Sequence, residues 1–109
     1  MCQKNGEPAG DEKTGKKCDD WHKRRMEQRQ TDAKKLNVPL MITEFGACYD
    51  TPACVREIEQ VMDHCENTQC AGWAYWQFKQ YKDHTTVGDK GMQGFYNQFG
   101  QLQQGKIYA

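Results

Sequence analysis

Two apolar, strand-like runs constrain the fold of this 109-residue chain more than any other feature. Residues 39–47 read PLMITEFGA, and residues 71–79 read AGWAYWQFK. The first run ends in a carboxylate, Glu44, although an unpaired ionised carboxylate in an apolar setting is costly. A functional role for Glu44 explains this ending better than packing does.

Composition limits the class of protein. The hydrophobic fraction is 37% and the mean hydropathy is -1.03, so any core is thin for the chain length. The longest apolar run, residues 38–42, is far below the roughly 20 residues of a membrane-spanning helix, so no membrane span is expected. Residues 1–5 lead into polar sequence without the apolar segment of a signal peptide. The 15 basic and 15 acidic residues cancel, which argues against nucleic-acid partners and favours neutral ligands such as sugars.

Six cysteines are many for a cytosolic chain, so an oxidising compartment is favoured, either extracellular or lysosomal and secretory. Six cysteines allow 15 pairings, and the sequence alone does not choose among them. Cys48 and Cys54 flank a short loop and are the favoured single pair. Zinc is the alternative, but there is no Cys-x-x-Cys pair and His64 is not at zinc-finger spacing from another histidine, so no metal is expected.

The N-terminal half of the sequence predicts a loop followed by a helix. Residues 1–18 are rich in glycine and charge and are predicted to form an irregular loop, with residues 19–109 as the remaining unit. The helix is expected to begin near Asp19 or Asp20 and to end at Asn37, because Pro39 prevents its continuation. One helical face carries residues at spacings of three and four: His22, Met26, Arg29, Ala33 and Leu36.

The C-terminal half predicts a strand, a second helix and a second strand. The strands are expected over residues 40–45 and 71–78, followed by a loop after Lys79. Asp50 or Thr51 can cap the helix, with Pro52 at its first position. Its buried face is expected to carry Val55, Ile58, Met62 and Cys65. Helices alternating with strands indicate a parallel α/β fold.

Strand alternation predicts which side chains share a face. Glu44 is expected to share its face with Ile42 and Leu40, which would fill the space beneath it. In the second strand, Trp76 is expected to share a face with Ala74 and Gly72, while Trp73 and Tyr75 pack outward against helices. In parallel α/β sheets the reactive groups lie at the C-terminal ends of the strands, and Glu44 and Trp76 both lie there.

The segments ITEFGA (residues 42–47) and GWAYWQF (residues 72–78) together resemble glycoside hydrolase family 5, which includes the cellulases. The resemblance is greatest to the endoglycoceramidase-related branch, and GFYNQFGQL (residues 94–102) also resembles the region after the last barrel strand there. The resemblance implies a partial TIM (β/α)8 barrel, approximately strands 7 and 8 with their preceding helices and a C-terminal loop.

The same resemblance implies roles for two residues, and two more are proposed because they follow Trp76 in the sequence. Glu44 maps onto the nucleophile that ends the seventh strand, and Trp76 maps onto the tryptophan that stacks under the reacting sugar. Gln77 and Lys79 follow and are expected to reach sugar hydroxyls. The implied activity is retaining hydrolysis of a glycosphingolipid or a β-glucan, without a cofactor.

One family motif does not match. The family acid/base is the Glu of an Asn-Glu-Pro sequence ending the fourth strand, and residues 5–8 read Asn-Gly-Glu-Pro. Glu7 lies too close to Glu44 in sequence, because strands four to seven enclose three strand-helix units of about 30 residues each. A whole barrel needs about 250 residues. The chain is therefore expected to be a C-terminal barrel fragment that lacks the acid/base, is inactive alone, and needs the missing N-terminal part of the barrel as its partner.

Two other hypotheses remain open on the sequence. One is a small secreted disulfide-bonded module that binds carbohydrate or protein through Trp73, Tyr75 and Trp76. The other is a chain that never folds, because two parallel strands without neighbours leave long edges.

Overall fold

The computed structural model describes residues 2–4, 7–46, 48–77, 94–96 and 99–107. The elements follow the chain in an order that alternates helices with strands after an initial hairpin. They are β1 (Gln3–Lys4), β2 (Glu7–Pro8), α1 (Glu12–Leu36), β3 (Met41–Ile42), α2 (Pro52–Asn67), β4 (Gly72–Trp73) and α3 (Gln104–Ile107). None of the described helices combines the length and the apolar character that crossing a membrane requires.

The N-terminal region is more ordered than the predicted loop over residues 1–18. β1 and β2 pair antiparallel, and α1 begins at Glu12, seven residues before Asp19. Asp11 caps this helix, because its side chain accepts a hydrogen bond from the backbone N–H of Thr14 at 2.8 Å. The prediction of an irregular loop over residues 12–18 was wrong, since Cys18 and Gly15 continue the buried face of the helix one and two turns upstream of His22.

The end of α1 lies where the sequence predicted it. Asn37 caps the helix in the left-handed conformation, at φ 55°, and its N–H bonds back to the carbonyl oxygens of Ala33 and Lys34. Asparagine tolerates this conformation better than most residues. Lys34 and Lys35 lie in the last turn, where cations interact favourably with the helix dipole.

α2 is capped and oriented as the sequence predicted. The Thr51 side chain accepts from the N–H of Cys54, and Pro52 is the first helical residue. Ile58 and Cys65 are buried, with Val55 and Met62 half-buried on the same face. The predicted Cys48–Cys54 disulfide is present at the start of α2, and a second disulfide, Cys65–Cys70, joins its end to the approach to β4.

β3 and β4 form a two-stranded parallel sheet, which confirms the parallel α/β architecture for this part of the chain. The helices also run parallel to each other, because Gly15 lies against Arg56 near their starts and Gln30 bonds the carbonyl of Gln69 near their ends. The strands are much shorter than the predicted runs over residues 40–45 and 71–78.

A β-bulge shortens β3. The carbonyl oxygens of Ile42 and Phe45, three residues apart, accept from the N–H groups of Ala74 and Trp76, which are two residues apart. One extra residue is therefore inserted in the first strand between Ile42 and Phe45. A bulge bends its strand and changes the direction of the side chains that follow it.

The bulge corrects the predicted faces of the first strand. Ile42 lies opposite Trp73, and in a parallel pair such partners share a face. Trp73 packs edge-on against Phe45, which contacts the buried cluster of Cys48, Cys54 and Ile58. Ile42 and Phe45 thus both face the helices, whereas regular alternation placed Ile42 beneath Glu44 on the opposite face.

The C-terminal region contains structure that the sequence did not predict. Tyr96 and Leu102 form an antiparallel bridge, and α3 follows as a single helical turn in place of the expected loop. Gly105 of this turn lies against the Asp50 side chain just before α2. The predicted loop over residues 80–93 lies outside the described residues.

Candidate functional site

The chain segments that carry Glu44 and Trp76 are joined through their backbones beyond the C-terminal end of the parallel pair. The Phe45 carbonyl accepts from the Trp76 N–H at 2.8 Å, so the residue after Glu44 is joined directly to Trp76. Both side chains are exposed, and the Trp76 side chain is 37% accessible. Among the described residues, Glu44 makes no salt bridge. An exposed carboxylate without an ion pair beside an exposed aromatic ring is suited to nucleophilic attack on a stacked ligand.

The second strand presents its side chains as alternation predicted. Tyr75 packs with Phe45 against the buried cluster beside the helices, so its neighbours in the strand, Ala74 and Trp76, face the opposite side. The residues preceding Trp76 on this open face are Gly72 and Ala74. Small side chains here leave space beside the tryptophan ring.

Tyr75 is the centre of the aromatic packing under the site. Its ring stacks on Phe95 with centroids 4.1 Å apart and meets Phe45 edge-on at 5.7 Å. Its hydroxyl donates to the carbonyl of Gly46 at 3.3 Å. Burial raises the pKa of Tyr75 well above its ordinary value, and the charge of Asp50 adds to this shift, so the hydroxyl remains a donor at neutral pH.

Gly46 is required by this packing. Its φ of +96° belongs to the left-handed region, and a β-carbon placed on it would collide with the Tyr75 ring. The glycine that follows Glu44 and Phe45 therefore lets the chain turn directly over Tyr75. This turn, together with the bulge, sets the backbone on both sides of Glu44.

Glu7 and the first disulfide anchor the loop that follows the site. The Glu7 carboxylate accepts from the backbone N–H of Tyr49 at 2.9 Å, and Cys48 is bonded to Cys54 at the start of α2. Glu7 is thus a loop anchor in this structure. The sequence excluded it as the acid/base on spacing, and its hydrogen bond gives that carboxylate a structural task.

A cleft of about 230 Å³ opens beside Glu44, between α1 and the end of β3. Trp21 lies on its wall, with the Arg25 guanidinium carbon 4.9 Å from the centroid of the Trp21 ring. Met26, Ile42, Phe45 and Val61 make the cleft mainly apolar. Glu44 is therefore an exposed residue on the rim of an apolar cleft that lies on the helix side of β3.

Of the two predicted residues that follow Trp76, the structure describes only Gln77, and it does not bring the Gln77 side chain to this surface. The side-chain nitrogen of Gln77 is buried and has no hydrogen-bond partner within the described segments, so it points away from the open face. The backbone carbonyl of Gln77 accepts from the N–H of Phe95 at 3.0 Å. Lys79 lies outside the described residues.

Sequence reasoning missed Trp21 and the Gly46–Tyr75 contact. Trp21 and Arg25 are four residues apart on one helix, a spacing that brings side chains together, and this was a usable signal. The Gly46–Tyr75 contact joins residues that are 29 positions apart in the sequence, so no local pattern predicted it. The described residues contain no group of three or more side chains that could hold a metal ion.

Comparison with protein families gives a match. The family model described as Cellulase (glycosyl hydrolase family 5) matches residues 4–82, which is more than half of the chain. No curated protein and no solved structure matches the chain. The matched span includes both α1 and α2 and the two strands that carry Glu44 and Trp76.

Proposed function

The chain belongs to glycosyl hydrolase family 5, and from this premise we propose that it supplies the nucleophile of a retaining glycosidase. Family membership implies a carbohydrate substrate, O-glycosyl bond hydrolysis and a TIM barrel. We propose that β3 and β4 correspond to barrel strands 7 and 8. Their parallel pairing and the parallel α1 and α2 support this assignment.

The observation that carries the proposal is the junction of Glu44 with Trp76. The Phe45–Trp76 hydrogen bond joins the backbone next to Glu44 to that of Trp76, and both side chains are exposed, which supports a shared site at the C-terminal end of the strands. In this fold that edge is where reactive groups lie. Glu44 attacks the anomeric carbon and forms a glycosyl-enzyme intermediate, which water then hydrolyses.

Trp76 holds the sugar that reacts. One face of a pyranose ring carries C–H groups, which pack on an indole, while the hydroxyls remain at the rim. Gly72 and Ala74 beside it leave room for the ring. Lys79 is proposed to contact sugar hydroxyls because it follows Trp76 closely in the sequence, and Gln77 would need to turn outward to do so.

A second carboxylic acid is needed for ordinary substrates. In a retaining enzyme it lies about 5 Å from the nucleophile and protonates the leaving oxygen. Glu7 is bonded to the Tyr49 N–H and does not fill this role. We propose that the acid comes from other strands of the barrel, so that the 109 residues alone do not hydrolyse unactivated glycosides.

The proposed substrate is a glycosphingolipid, by resemblance to the endoglycoceramidase-related branch, with β-glucan as the other candidate. Both present a β-linked glucose to the nucleophile. We also propose an extracellular or secretory location, which the disulfides Cys48–Cys54 and Cys65–Cys70 support.

A mechanism-based label tests the nucleophile without needing the acid. The reagent is a 2-deoxy-2-fluoro glycoside that carries dinitrophenolate as its leaving group. Dinitrophenolate departs without protonation, and the fluorine slows hydrolysis of the covalent intermediate. Trypsin releases Glu44 in the single peptide 36–56. We expect mass spectrometry to find one fluoroglycosyl group on this peptide at Glu44. A lactosyl reagent should label Glu44 faster than a cellobiosyl reagent if the substrate is a glycolipid, and the order should be reversed if the substrate is a glucan.

Two variants control this experiment. Glu44→Gln should take up no label, because an amide does not attack the anomeric carbon. Glu59→Gln, which changes an exposed glutamate on α2, should be labelled like the unchanged chain. Absence of label on the unchanged chain, or equal labelling of Glu44→Gln, rejects Glu44 as the nucleophile.

A carbohydrate-binding module is the second candidate, and the exposure of Trp73 and Trp76 on a disulfide-bonded unit favours it. Such a module binds oligosaccharide reversibly and needs no nucleophile. Calorimetric titration with cello-oligosaccharides that gives the same affinity for the unchanged chain and Glu44→Gln, without covalent labelling of either, would support binding over catalysis.

A further inference from the structure

The two cysteines outside the disulfides lie next to each other in space. Cys48–Cys54 and Cys65–Cys70 account for four of the six cysteines, and Cys2 and Cys18 remain as thiols. Burial first, and then the nearby Cys2 thiol, raise the pKa of Cys18, and the contacts described below hold the Cys2 segment against the helical face that carries Cys18. We propose that Cys2 and Cys18 form a third disulfide, which joins the N-terminal hairpin to α1.

The hairpin holds Cys2 in this position. β1 and β2 pair with Gln3 opposite Pro8, and beyond this pair the N–H of Ala9 donates to the carbonyl of Cys2 at 3.1 Å. The position of Cys2 is therefore set by the returning strand. A cysteine on a paired segment presents its thiol in a restricted direction, and a disulfide requires such a fixed approach.

Arg56 fixes the hairpin against α1. Its Nη2 donates to the carbonyl of Ala9 at 3.0 Å, and its guanidinium lies directly over Gly15. Gly15 and Cys18 are three residues apart and occupy the same helical face. The chain of contacts from Cys2 through Ala9 and Arg56 to Gly15 thus ends on the face that carries Cys18.

The two thiols differ in accessibility, which orders the reaction. Cys18 is 4% exposed, whereas Cys2 is half-buried. Burial, and then the neighbouring Cys2 thiol, raise the pKa of Cys18 to about 12, so Cys18 is a poor first nucleophile. Cys2 is the group that meets an external oxidant.

The oxidant is a disulfide, either glutathione disulfide or that of a protein oxidoreductase. The Cys2 thiol loses its proton and attacks one oxidant sulfur, which breaks the oxidant S–S bond and releases one thiol. Cys18 then loses its proton and attacks the Cys2 sulfur of the mixed disulfide, releasing the second thiol. Two cysteine thiols are oxidised and one oxidant disulfide is reduced to two thiols.

The third bond would complete a pattern. Cys48–Cys54 joins the loop after Glu44 to the start of α2, and Cys65–Cys70 joins the end of α2 to the approach to β4. Cys2–Cys18 would tie the hairpin, including Glu7, to α1. Because Glu7 accepts from the Tyr49 N–H, the bond would also restrain the loop beside the site.

Trypsin separates this bond from the other two. Cys2 lies in peptide 1–4 and Cys18 in peptide 18–23, whereas Cys48 with Cys54 and Cys65 with Cys70 each share one peptide, 36–56 and 57–79. The full chain is equilibrated with oxidised and reduced glutathione, alkylated in denaturant without reductant, and digested. We expect peptides 1–4 and 18–23 to appear as one linked species that separates on reduction.

Other distributions overturn the proposal. If peptides 1–4 and 18–23 both carry the alkyl group, or if either is linked to a cysteine other than its proposed partner, Cys2 and Cys18 do not pair. Cys2→Ala provides the matched variant, since it should leave peptide 18–23 alkylated and peptides 36–56 and 57–79 unalkylated.

Stability provides a second, independent measurement. Cys2→Ala, Cys18→Ala and the double variant all remove the same bond, so the double variant should lose little more thermal stability than Cys18→Ala alone. If the double variant loses as much thermal stability as the two single variants together, the two thiols act separately. Under strong reductant the bond is absent from the unchanged chain as well, so Cys2→Ala should then change the thermal stability very little.

Discussion

The carbonyl oxygen of Phe45 accepts a hydrogen bond from the N–H of Trp76 at 2.8 Å, at the place where an unbroken strand would present the carbonyl of Glu44. This one-residue shift is the bulge in the first strand. Because of this shift, Ile42 and Phe45 both face the helices. The direction of the Glu44 side chain therefore does not follow from the regular alternation of β3. Gly46 and Tyr75 then hold the chain immediately after the bulge.

Gly46→Ala should destabilise the protein strongly. The new β-carbon meets the Tyr75 ring, and the residue must keep a positive φ, so we expect a loss of roughly 2–5 kcal/mol in the free energy of unfolding. Gly100→Ala is the matched control, because Gly100 also has a positive φ but has open space around it, and it should cost only roughly 1–2 kcal/mol. Urea unfolding measures both, and equal losses would show that the Tyr75 contact is unimportant.

Trp76→Ala should slow labelling of Glu44 by roughly two- to tenfold, because the sugar loses its stacking surface. Trp73→Ala removes a ring that packs on Phe45 on the helix side, so it should lower the thermal midpoint while leaving the labelling rate of the folded protein within about twofold. The rates are measured by time-resolved mass spectrometry of peptide 36–56. A larger rate loss for Trp73→Ala than for Trp76→Ala would contradict the assignment of faces.

The contact between α1 and α2 includes a hydrogen bond from His64 to Asp19. His64 Nε2 lies 2.6 Å from an Asp19 carboxylate oxygen, and the His64 side chain is only 12% exposed. Asp19→Ala should cost roughly 1–2 kcal/mol, and a double-mutant cycle with His64→Ala should give a coupling of about 1 kcal/mol.

Asp20→Ala is the control for this cycle, because Asp20 is the exposed neighbour of Asp19 on the same helix. Its effect should stay within about 0.5 kcal/mol. Additive losses for Asp19→Ala and His64→Ala, measured by denaturant unfolding, would show that the two side chains do not interact in solution.

Acid should weaken the cap of α1. The backbone N–H of Thr14, and then its hydroxyl, lower the pKa of Asp11 below its usual value of 3.8. Because the folded pKa lies below the unfolded one, this contribution is fully present above about pH 4 and is lost as the pH falls through the lowered value. Asp11→Asn retains a capping side chain but does not titrate.

The thermal midpoints of the unchanged chain and Asp11→Asn, compared from about pH 6 to about pH 2, test this cap. The difference between the two thermal midpoints should be constant near pH 6. Below about pH 4 the midpoint of the unchanged chain should fall relative to that of Asp11→Asn. A difference that is the same at every pH would mean that the charge of Asp11 does not stabilise the helix.

Local sequence signals predicted the elements whose ends depend on neighbouring residues. Asn37 as the end of α1, Thr51 with Pro52 at the start of α2 and the face carrying Ile58 and Cys65 were all correct, because caps and helical spacing act within a few residues. The start of α1 was misplaced, although Asp11 three residues before Thr14 was available as a capping signal.

The candidate site likewise contains residues that local sequence signals predicted and contacts that they did not. Glu44 and Trp76 were proposed from the sequence, and in the structure the backbone of Phe45, next to Glu44, is hydrogen-bonded to Trp76. The support beneath them was not predictable, because Tyr75, Gly46, Phe95 and Glu7 come from distant parts of the chain. Their contacts exist only after the strands pair and the N-terminal hairpin folds back on the loop.

The sequence by itself predicted the alternation of helices and strands, the parallel pairing and the family, and it favoured the Cys48–Cys54 bond, since each of these predictions rests on local spacing or on a contiguous motif. Only the tertiary structure decided that a bulge follows β3, that Ile42 faces the helices and that Cys2 lies near Cys18. A bulge is defined by the register between two strands, and the proximity of two thiols is defined by how a hairpin packs on a helix. Neither relationship is encoded at any single position, because both depend on which distant backbone groups share hydrogen bonds.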